Sequence, residues 1–240
     1  MARRNEHSKP ELRALAIGTV RTLVAEQGLE KLSVRQVARR LGYAPAMLYH
    51  LFANLDDLIL HVNADTLDGL LDRMDAASGM ENPEAALTAM AHYYLDLSRA
   101  HTPLWQLVFE HRMANGAEVP AWYARRTRAL FLMVERQLER LAPWATEQDL
   151  RLGARTLWGG LHGICVLQAN NKLDVAGDAD PRAMVDSLLR HYLADWSATT
   201  NRSPTTLHRT ETGHEGRGFL AAHQTALRAV FLYPVPGRVQ

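Results

Sequence analysis

Apolar residues recur at intervals of three and four along most of the chain, and no segment shows the alternation typical of a β-strand. This spacing places apolar side chains on one face of an α-helix, so the pattern predicts an all-α protein. In the first third we expect four helices, over about residues 10–27, 34–41, 45–52 and 54–77.

Five further helices are predicted, each with a proline or a capping residue near its start. They are Pro83–Ala100, Pro103–Met113, Pro120–Leu141, Thr146–Leu173 and Pro181–Trp196. After Trp196 the sequence becomes polar and poor in apolar residues, which is typical of a flexible segment. We therefore expect a flexible tail over residues 198–240, in which residues 219–233 could form one short helix.

The segment 33–52, SVRQVARRLGYAPAMLYHLF, contains two short helical patterns that meet at a glycine. Ser33 and Gln36 have the spacing of a capping box, and Gly42 is suited to a sharp turn. Pro45 is suited to the first position of the second helix. We interpret the segment as a helix-turn-helix, whose second helix enters the major groove of DNA.

The second helix of this motif is only two turns long, yet Tyr49 and His50 occupy its outward-facing positions. Leu48 and Phe52 would anchor it to the protein. The small residues at its start would let its backbone and free amides approach DNA. A short helix that only completes the core of an all-α protein is the alternative, and this pattern leaves it open.

Charge is distributed unevenly. Residues 1–52 carry nine Lys or Arg and four Asp or Glu, a net charge of +5, which leaves −4 for the rest because the whole chain is +1. A basic first segment is expected of a polyanion-binding domain, although it is also compatible with a solvated helix face. Arg35, Arg39 and Arg40 could neutralise phosphates, and Arg3 and Arg4 could form an arm along a groove.

A set of residues with a characteristic spacing extends through this region: Gly28, Ser33-Val34-Arg35-Gln36-Val37-Ala38, Leu41-Gly42-Tyr43, Ala44-Pro45-Ala46-Met47-Leu48-Tyr49, Phe52 and Leu58. Through this set, residues 10–70 resemble the N-terminal domain of the TetR family of transcriptional regulators. The resemblance implies a three-helix DNA-binding domain followed by a helical bundle, at residues 78–197, for effector binding and dimerisation. It implies a ligand-responsive homodimeric repressor on a palindromic double-stranded operator, with no cofactor and no enzymatic activity.

With this resemblance, the predicted DNA-binding residues are Arg3, Arg4, Ser33, Arg35, Gln36, Tyr43, Ala44, Pro45, Ala46, Met47, Tyr49, His50 and Asn54. The chain departs from the family pattern at three positions. Leu51 stands where the family often has His, and Leu55 stands where it often has a phosphate-binding Lys. Asn54 could replace that lysine contact through its cap geometry. Ala44 replaces the more usual Ser or Thr cap, at a cost of about 1 kcal/mol in helix stability.

The segment LWGGLHGICVLQA, residues 157–169, resembles the Trp-His-Gly signature of one branch of the family through Trp158, His162 and Gly163. Its helix is apolar on two sides, and the last helix is amphipathic. We predict that these two helices form a four-helix bundle with a second copy of the chain, although both could be core helices of a monomer. The predicted interface residues are Leu150, Leu157, Leu161, Ile164, Met184, Leu188, Leu189, Tyr192 and Trp196.

The middle helices are rich in aromatic and histidine side chains, which suit a mostly apolar small-molecule effector with a few polar groups. The predicted effector-binding residues are His92, Tyr93, Trp105, Phe109, Trp122, Tyr123, Trp158 and His162. For each of them, and for His162 in particular, an ordinary place in the core is the alternative.

Other classes of function have little support in the sequence. It has no phosphate-binding Gly-rich loop, nucleophile elbow or His-Glu-x-x-His pair. An all-helical small-molecule or metal-binding protein or enzyme without DNA binding remains the alternative, with Glu110, His111, His101 and His92 as conceivable metal ligands. A helical DNA-packaging or adaptor protein without a ligand is a third interpretation. The single Cys165, the lack of a signal peptide and the lack of a long apolar run predict a cytoplasmic protein without a membrane span.

Overall fold

The computed structural model describes residues 7–199, and over this range the chain is helical, with no β-strand. The helices are α1 (Lys9–Gln27), α2 (Val34–Leu41), α3 (Pro45–Leu51), α4 (Leu55–Ser78), α5 (Pro83–Ala100), α6 (Thr102–Glu110), α7 (Ala121–Leu141), α8 (Glu147–Ala169) and α9 (Pro181–Thr199). Single 3₁₀ turns lie at Leu29–Lys31, Ala114–Gly116 and Leu173–Ala176. The all-α fold class is therefore confirmed.

Local sequence signals account for most helix boundaries. Asn54 accepts a hydrogen bond from the amide of Asp57 at 2.8 Å and so caps α4. Gly28 and Gly42 follow α1 and α2 with φ of 75° and 76°, values that favour glycine. Ser33 Oγ accepts a hydrogen bond from the amide of Gln36. The second bond of the predicted capping box, from the amide of Ser33 to the Gln36 side chain, is not formed. The Gln36 Oε1 atom is buried without a hydrogen-bond partner in the described range.

Two helices end earlier than predicted. α6 stops at Glu110 because His111 is extended (φ −64°, ψ 127°), and its ring faces Asp56 of α4 at 3.4 Å. α8 stops at Ala169 because Asn171 adopts a left-handed conformation with φ 52°, which a continuing helix does not allow.

Helix α4 contributes to two large apolar clusters and to a smaller one, in which Leu60, Ala64 and Leu67 pack with Tyr123. The N-terminal cluster is formed by α1, α2, α3, the first half of α4 and two leucines of α6. The C-terminal cluster is formed by the second half of α4 with α5, α7, α8 and α9. Leu58, Ile59 and Val62 of α4 lie in the first cluster, whereas Leu70 and Met74 lie in the second. Because α4 is continuous between them, the two clusters are mechanically connected.

The predicted tail, residues 198–240 with its helix at 219–233, lies outside the described residues except for its first two positions, which belong to α9. Within the described range, none of the helices combines the length and apolar character needed to cross a membrane.

Gly153 allows α8 to approach its neighbours closely. A Cβ atom at this position would lie 2.8 Å from the ring of Trp196 and 3.2 Å from Leu138. We predict that Gly153→Ala destabilises the protein by about 1–3 kcal/mol through overpacking, as measured by urea unfolding. Gly18→Ala is the control, because a Cβ there meets no other described atom within 4 Å. It should stabilise α1 by about 0.5–1 kcal/mol, and equal effects of the two substitutions would contradict the packing argument.

Candidate DNA-binding surface and ligand-binding region

The turn between α2 and α3 is closed by backbone hydrogen bonds. The amide of Tyr43 donates to the carbonyl of Ala38 at 3.0 Å, and Gly42 supplies the left-handed conformation. Leu48 and Leu51 of α3 are 2% and 7% exposed and fix the helix against the N-terminal cluster. The geometry is that of a helix-turn-helix with its second helix at the protein surface.

The predicted DNA-binding residues differ in their exposure. Those exposed to solvent are Ser33, Arg35, Ala44, Pro45, Ala46, Tyr49, His50 and Asn54. Tyr49 is 59% exposed, which is unusual for an aromatic residue and argues against a role in the core. Gln36, Tyr43 and Met47 are half-buried. Arg3 and Arg4 lie outside the described residues.

An arginine of α1 holds the C-terminal end of α3. Arg13 Nη1 donates to the carbonyl of Leu51, and its guanidinium lies 4.4 Å from the ring centroid of Phe52. Arg13 Nη2 lies 2.7 Å from Nε2 of His61 on α4. Burial, together with the charge of Arg13, lowers the pKa of His61, so the ring is neutral and can accept from the guanidinium. We refer to Arg13, Leu51, Phe52 and His61 as the α3 clasp.

The α3 clasp was not predicted from the sequence, because Arg13 lies 38 to 48 residues before the other members and no local pattern connects it to them. It extends into the C-terminal helices through Trp122 of α7, whose ring stacks on His61 with centroids 4.6 Å apart. Arg40, one of the arginines expected to neutralise phosphates, forms an ion pair with Glu26 of α1 at 2.9 Å, and its side chain is 52% exposed.

Four of the predicted effector-binding residues come together. Trp105, Phe109 and Trp158 surround His162, with centroid distances of 4.5–5.1 Å to its ring. The hydroxyl of Tyr94 lies 2.8 Å from His162 Nδ1. We refer to these five side chains as the aromatic cluster. Burial lowers the pKa of His162 to about 4 and raises that of Tyr94.

The other four predicted effector-binding residues lie elsewhere. His92 Nε2 is 2.6 Å from Asp186 of α9. The ring of Tyr93 lies beneath Arg73, which is 5.9 Å from its centroid. Trp122 adjoins the α3 clasp, and Tyr123 lines a cavity of about 310 Å³ between α4 and the segment that follows α6. The eight residues therefore do not form one site, and their contact with an effector stays a prediction.

The predicted dimer residues have two kinds of environment. Leu157, Leu161, Ile164 and Leu189 are buried within a single chain. Leu150, Met184, Leu188, Tyr192 and Trp196 are half-buried against the C-terminal cluster.

The outward face of α8 carries apolar and small residues that are not among the predicted interface residues. Leu152 is 64% exposed and Leu167 is 44% exposed. Gly159 and Gly163 lie between them on the same face, and a Cβ on either would meet no other described atom within 4 Å.

The conceivable metal ligands are dispersed. His111 faces Asp56, and His92 faces Asp186. In the described part of the chain, no group of three or more His, Cys, Asp or Glu side chains could hold a metal ion.

Two family profiles match the chain and together cover more than half of it. Residues 19–62 match the profile described as bacterial regulatory proteins, tetR family. Residues 87–192 match the profile described as tetracyclin repressor-like, C-terminal domain. No curated protein matches the chain.

Solved structures with similar folds include a protein of unknown function from Rhodococcus sp. RHA1 (TM-score 0.65, 20% identity, covering 81% of this chain and 98% of that one). RolR in complex with resorcinol has a TM-score of 0.55 and 18% identity, and the match covers 83% of this chain and 98% of RolR. The regulator FadR from Bacillus subtilis in complex with stearoyl-CoA has a TM-score of 0.58 and 15% identity, and the match covers 75% of this chain and 97% of FadR. At these identities the likeness concerns the fold.

The depressed pKa of His162 predicts a loss of stability in acid. Between its ordinary value of 6.5 and about 4, the unfolded chain takes up a proton that the folded chain does not, so stability falls as pH falls through this window. We expect His162→Gln, which can still accept from Tyr94, to reduce the drop in urea midpoint between pH 7 and pH 5. His101→Gln, at an exposed histidine, is the control. An unchanged pH dependence in His162→Gln would contradict this assignment.

Proposed function

The chain belongs to the TetR family and is a DNA-binding transcriptional regulator, not an enzyme, and from this premise we propose that it is a ligand-responsive, homodimeric repressor of a palindromic operator. The observation that carries the proposal is the short, exposed helix α3, which is held at both ends by the protein. We propose residues 10–70 as the DNA-binding domain and residues 78–197 as the effector-binding and dimerisation domain, in a cytoplasmic protein.

In the proposed DNA complex, α3 lies in the major groove. Its first residues, Ala44 to Ala46, are small and exposed, so the backbone can approach the DNA closely. The exposed phenol of Tyr49 and the guanidinium of Arg35 would contact phosphates, and His50 would face base edges. Arg3, Arg4, Ser33, Gln36, Tyr43, Met47 and Asn54 complete the proposed contact set.

The proposed dimer forms through α8 and α9. Gly159 and Gly163 would let α8 of a second copy approach closely, and Leu152 and Leu167 would be covered. An open groove lined by Gly160, Ile164, Met184, Leu188 and Tyr192 continues this face onto α9. A two-fold interface of this kind would present two α3 helices to successive half-sites.

Ligand response requires that the effector binds two arrangements of the DNA-binding domains with different affinities. Helix α4 supports such coupling because it contributes to both apolar clusters. The crystallised relatives named above include one in complex with resorcinol and one in complex with stearoyl-CoA. We propose by analogy that this chain also responds to a small molecule.

Tyr49→Ala should weaken operator binding about tenfold or more without affecting the dimer. The change removes one hydrogen bond to a charged phosphate, and a tenfold loss of affinity corresponds to about 1.4 kcal/mol. Affinity would be measured by fluorescence anisotropy on a fragment selected from the source genome, and the dimer by sedimentation.

Trp144→Ala is the matched control for Tyr49→Ala, because Trp144 is a similarly exposed aromatic residue (54%) outside the helix-turn-helix. Wild-type affinity should also fall steeply with salt, since phosphate contacts release counterions. Equal effects of the two substitutions, or a flat salt response, would contradict the proposed contacts.

Gly159→Glu should dissociate the dimer, because two-fold symmetry brings both new carboxylates to the same interface. The fold should tolerate the change, since the space beside Gly159 is open within the described chain. We expect the dimer dissociation constant to rise at least about tenfold in sedimentation, with an unchanged circular dichroism spectrum. Ala124→Glu, at an exposed small residue of α7, should leave the dimer intact. A persistent dimer in Gly159→Glu would place the interface elsewhere.

A further inference from the structure

A cavity of about 310 Å³ lies between α4, the start of α7 and the segment of residues 111–120 that joins α6 to α7. Its lining includes Leu60, Asn63, Val108, His111, Met113 and Tyr123. We propose that this cavity is the effector site, and that it takes an uncharged small molecule with an apolar body and a hydroxyl group. The inference rests on the proposed function for its regulatory part, and its binding part can be tested independently.

The hydroxyl requirement comes from Asn63. This side chain is only 1% exposed. Its Nδ2 donates to the carbonyl of Leu107 at 3.2 Å, but its Oδ1 has no partner among the described residues. A buried amide oxygen without a donor is costly and uncommon in native proteins. A ligand hydroxyl that donates to this oxygen would satisfy it.

Two further polar groups line the same cavity. The Nε2 atom of His111 is buried without a hydrogen-bond partner in the described range, and it lies 3.4 Å from Asp56 Oδ1. Burial lowers the pKa of His111, although Asp56 opposes the shift, so the ring is neutral near pH 7. Burial also raises the pKa of Tyr123 to about 12, although a side-chain hydrogen bond with Asn63 opposes the shift, so its hydroxyl is neutral.

The rest of the lining favours an uncharged, apolar ligand body. Leu60, Val108 and Met113 contribute apolar side chains, and Arg112, the charged residue of the lining, already has an interaction partner. An anionic ligand would therefore have to compete for Arg112, whereas a neutral hydroxylated compound does not depend on that residue.

The cavity is connected to α3 through Asp56. This residue lies in the first turn of α4, five positions after the end of α3. Its Oδ2 accepts from the amide of Ala114 at 2.9 Å, and its Oδ1 faces His111. The segment that covers the cavity is thus tied to the helix start that positions α3. A ligand that moves this segment or Asn63 would displace the start of α4.

Binding would be measured by calorimetry on the DNA-free protein with three probes of similar shape. They are 2-naphthol, 2-methylnaphthalene, which lacks a hydroxyl, and 2-naphthoic acid, which is anionic. We expect 2-naphthol to bind at least about tenfold more tightly than either of the others, as one satisfied buried hydrogen bond implies. Equal or stronger binding of the hydrocarbon or the acid would overturn the ligand class.

Variants test the location of the site. Asn63→Leu and Tyr123→Phe should each weaken 2-naphthol binding by about tenfold. Ser98→Ala is the control, because Ser98 is also buried (3% exposed) but bonds to the carbonyl of Leu95 on α5. Should Asn63→Leu unfold, Tyr123→Phe still tests the site, since it removes only a hydroxyl. Unchanged binding in a folded lining variant would place the probe elsewhere and overturn the inference.

The regulatory part is measured separately, on the genomic fragment. Saturating 2-naphthol should weaken operator binding by the wild type and by Ser98→Ala, but much less by Asn63→Leu or Tyr123→Phe. Unchanged operator affinity with the probe bound would overturn the assignment of the cavity as the effector site. Failure of the wild type to bind any fragment would instead overturn the proposed function, and the calorimetric result would stand independently.

Discussion

Helix α4 imposes the main constraint on this molecule, because one unbroken helix of 24 residues contributes to both large apolar clusters. Leu58 and Val62 are buried with the helix-turn-helix, and Leu70 and Met74 are buried with the C-terminal helices. Burial on both sides fixes the rotation of the helix, since turning one half would expose the other. The position of α3 therefore depends on the packing of the whole described body.

Two polar connections transmit this constraint to α3. At its C-terminal end, the α3 clasp ties the carbonyl of Leu51 to Arg13 and, through His61, to α4 and the ring of Trp122. Five residues after α3 ends, Asp56 in the first turn of α4 accepts a hydrogen bond from the amide of Ala114, in the segment after α6. Both connections join the DNA-binding helices to elements beside the Asn63 cavity. A change at the cavity can thus act on α3 through packed, hydrogen-bonded contacts and does not require unfolding.

The sequence allowed prediction of those features that depend on local chemistry. Residues close together in the chain determine where these features occur. They are the ends of α1 and α2 at Gly28 and Gly42, the cap at Asn54 and the exposure of Tyr49. The partners of the side chains could not be predicted in this way. An apolar stripe shows which face of a helix is buried, but not which neighbour it meets. For this reason the eight predicted effector residues separate into different places, and the unpartnered oxygen of Asn63 is visible only in three dimensions.

We propose that α4 and a two-fold interface hold two α3 helices at a spacing that duplex DNA accepts. The most direct measurement is a hydroxyl-radical footprint of the purified protein on a fragment selected from its source genome. We expect two protected patches, related by two-fold symmetry, with centres one helical turn of DNA (roughly 34–36 Å) or a multiple of it apart. A single patch without symmetry, or no protection at low salt, would contradict it.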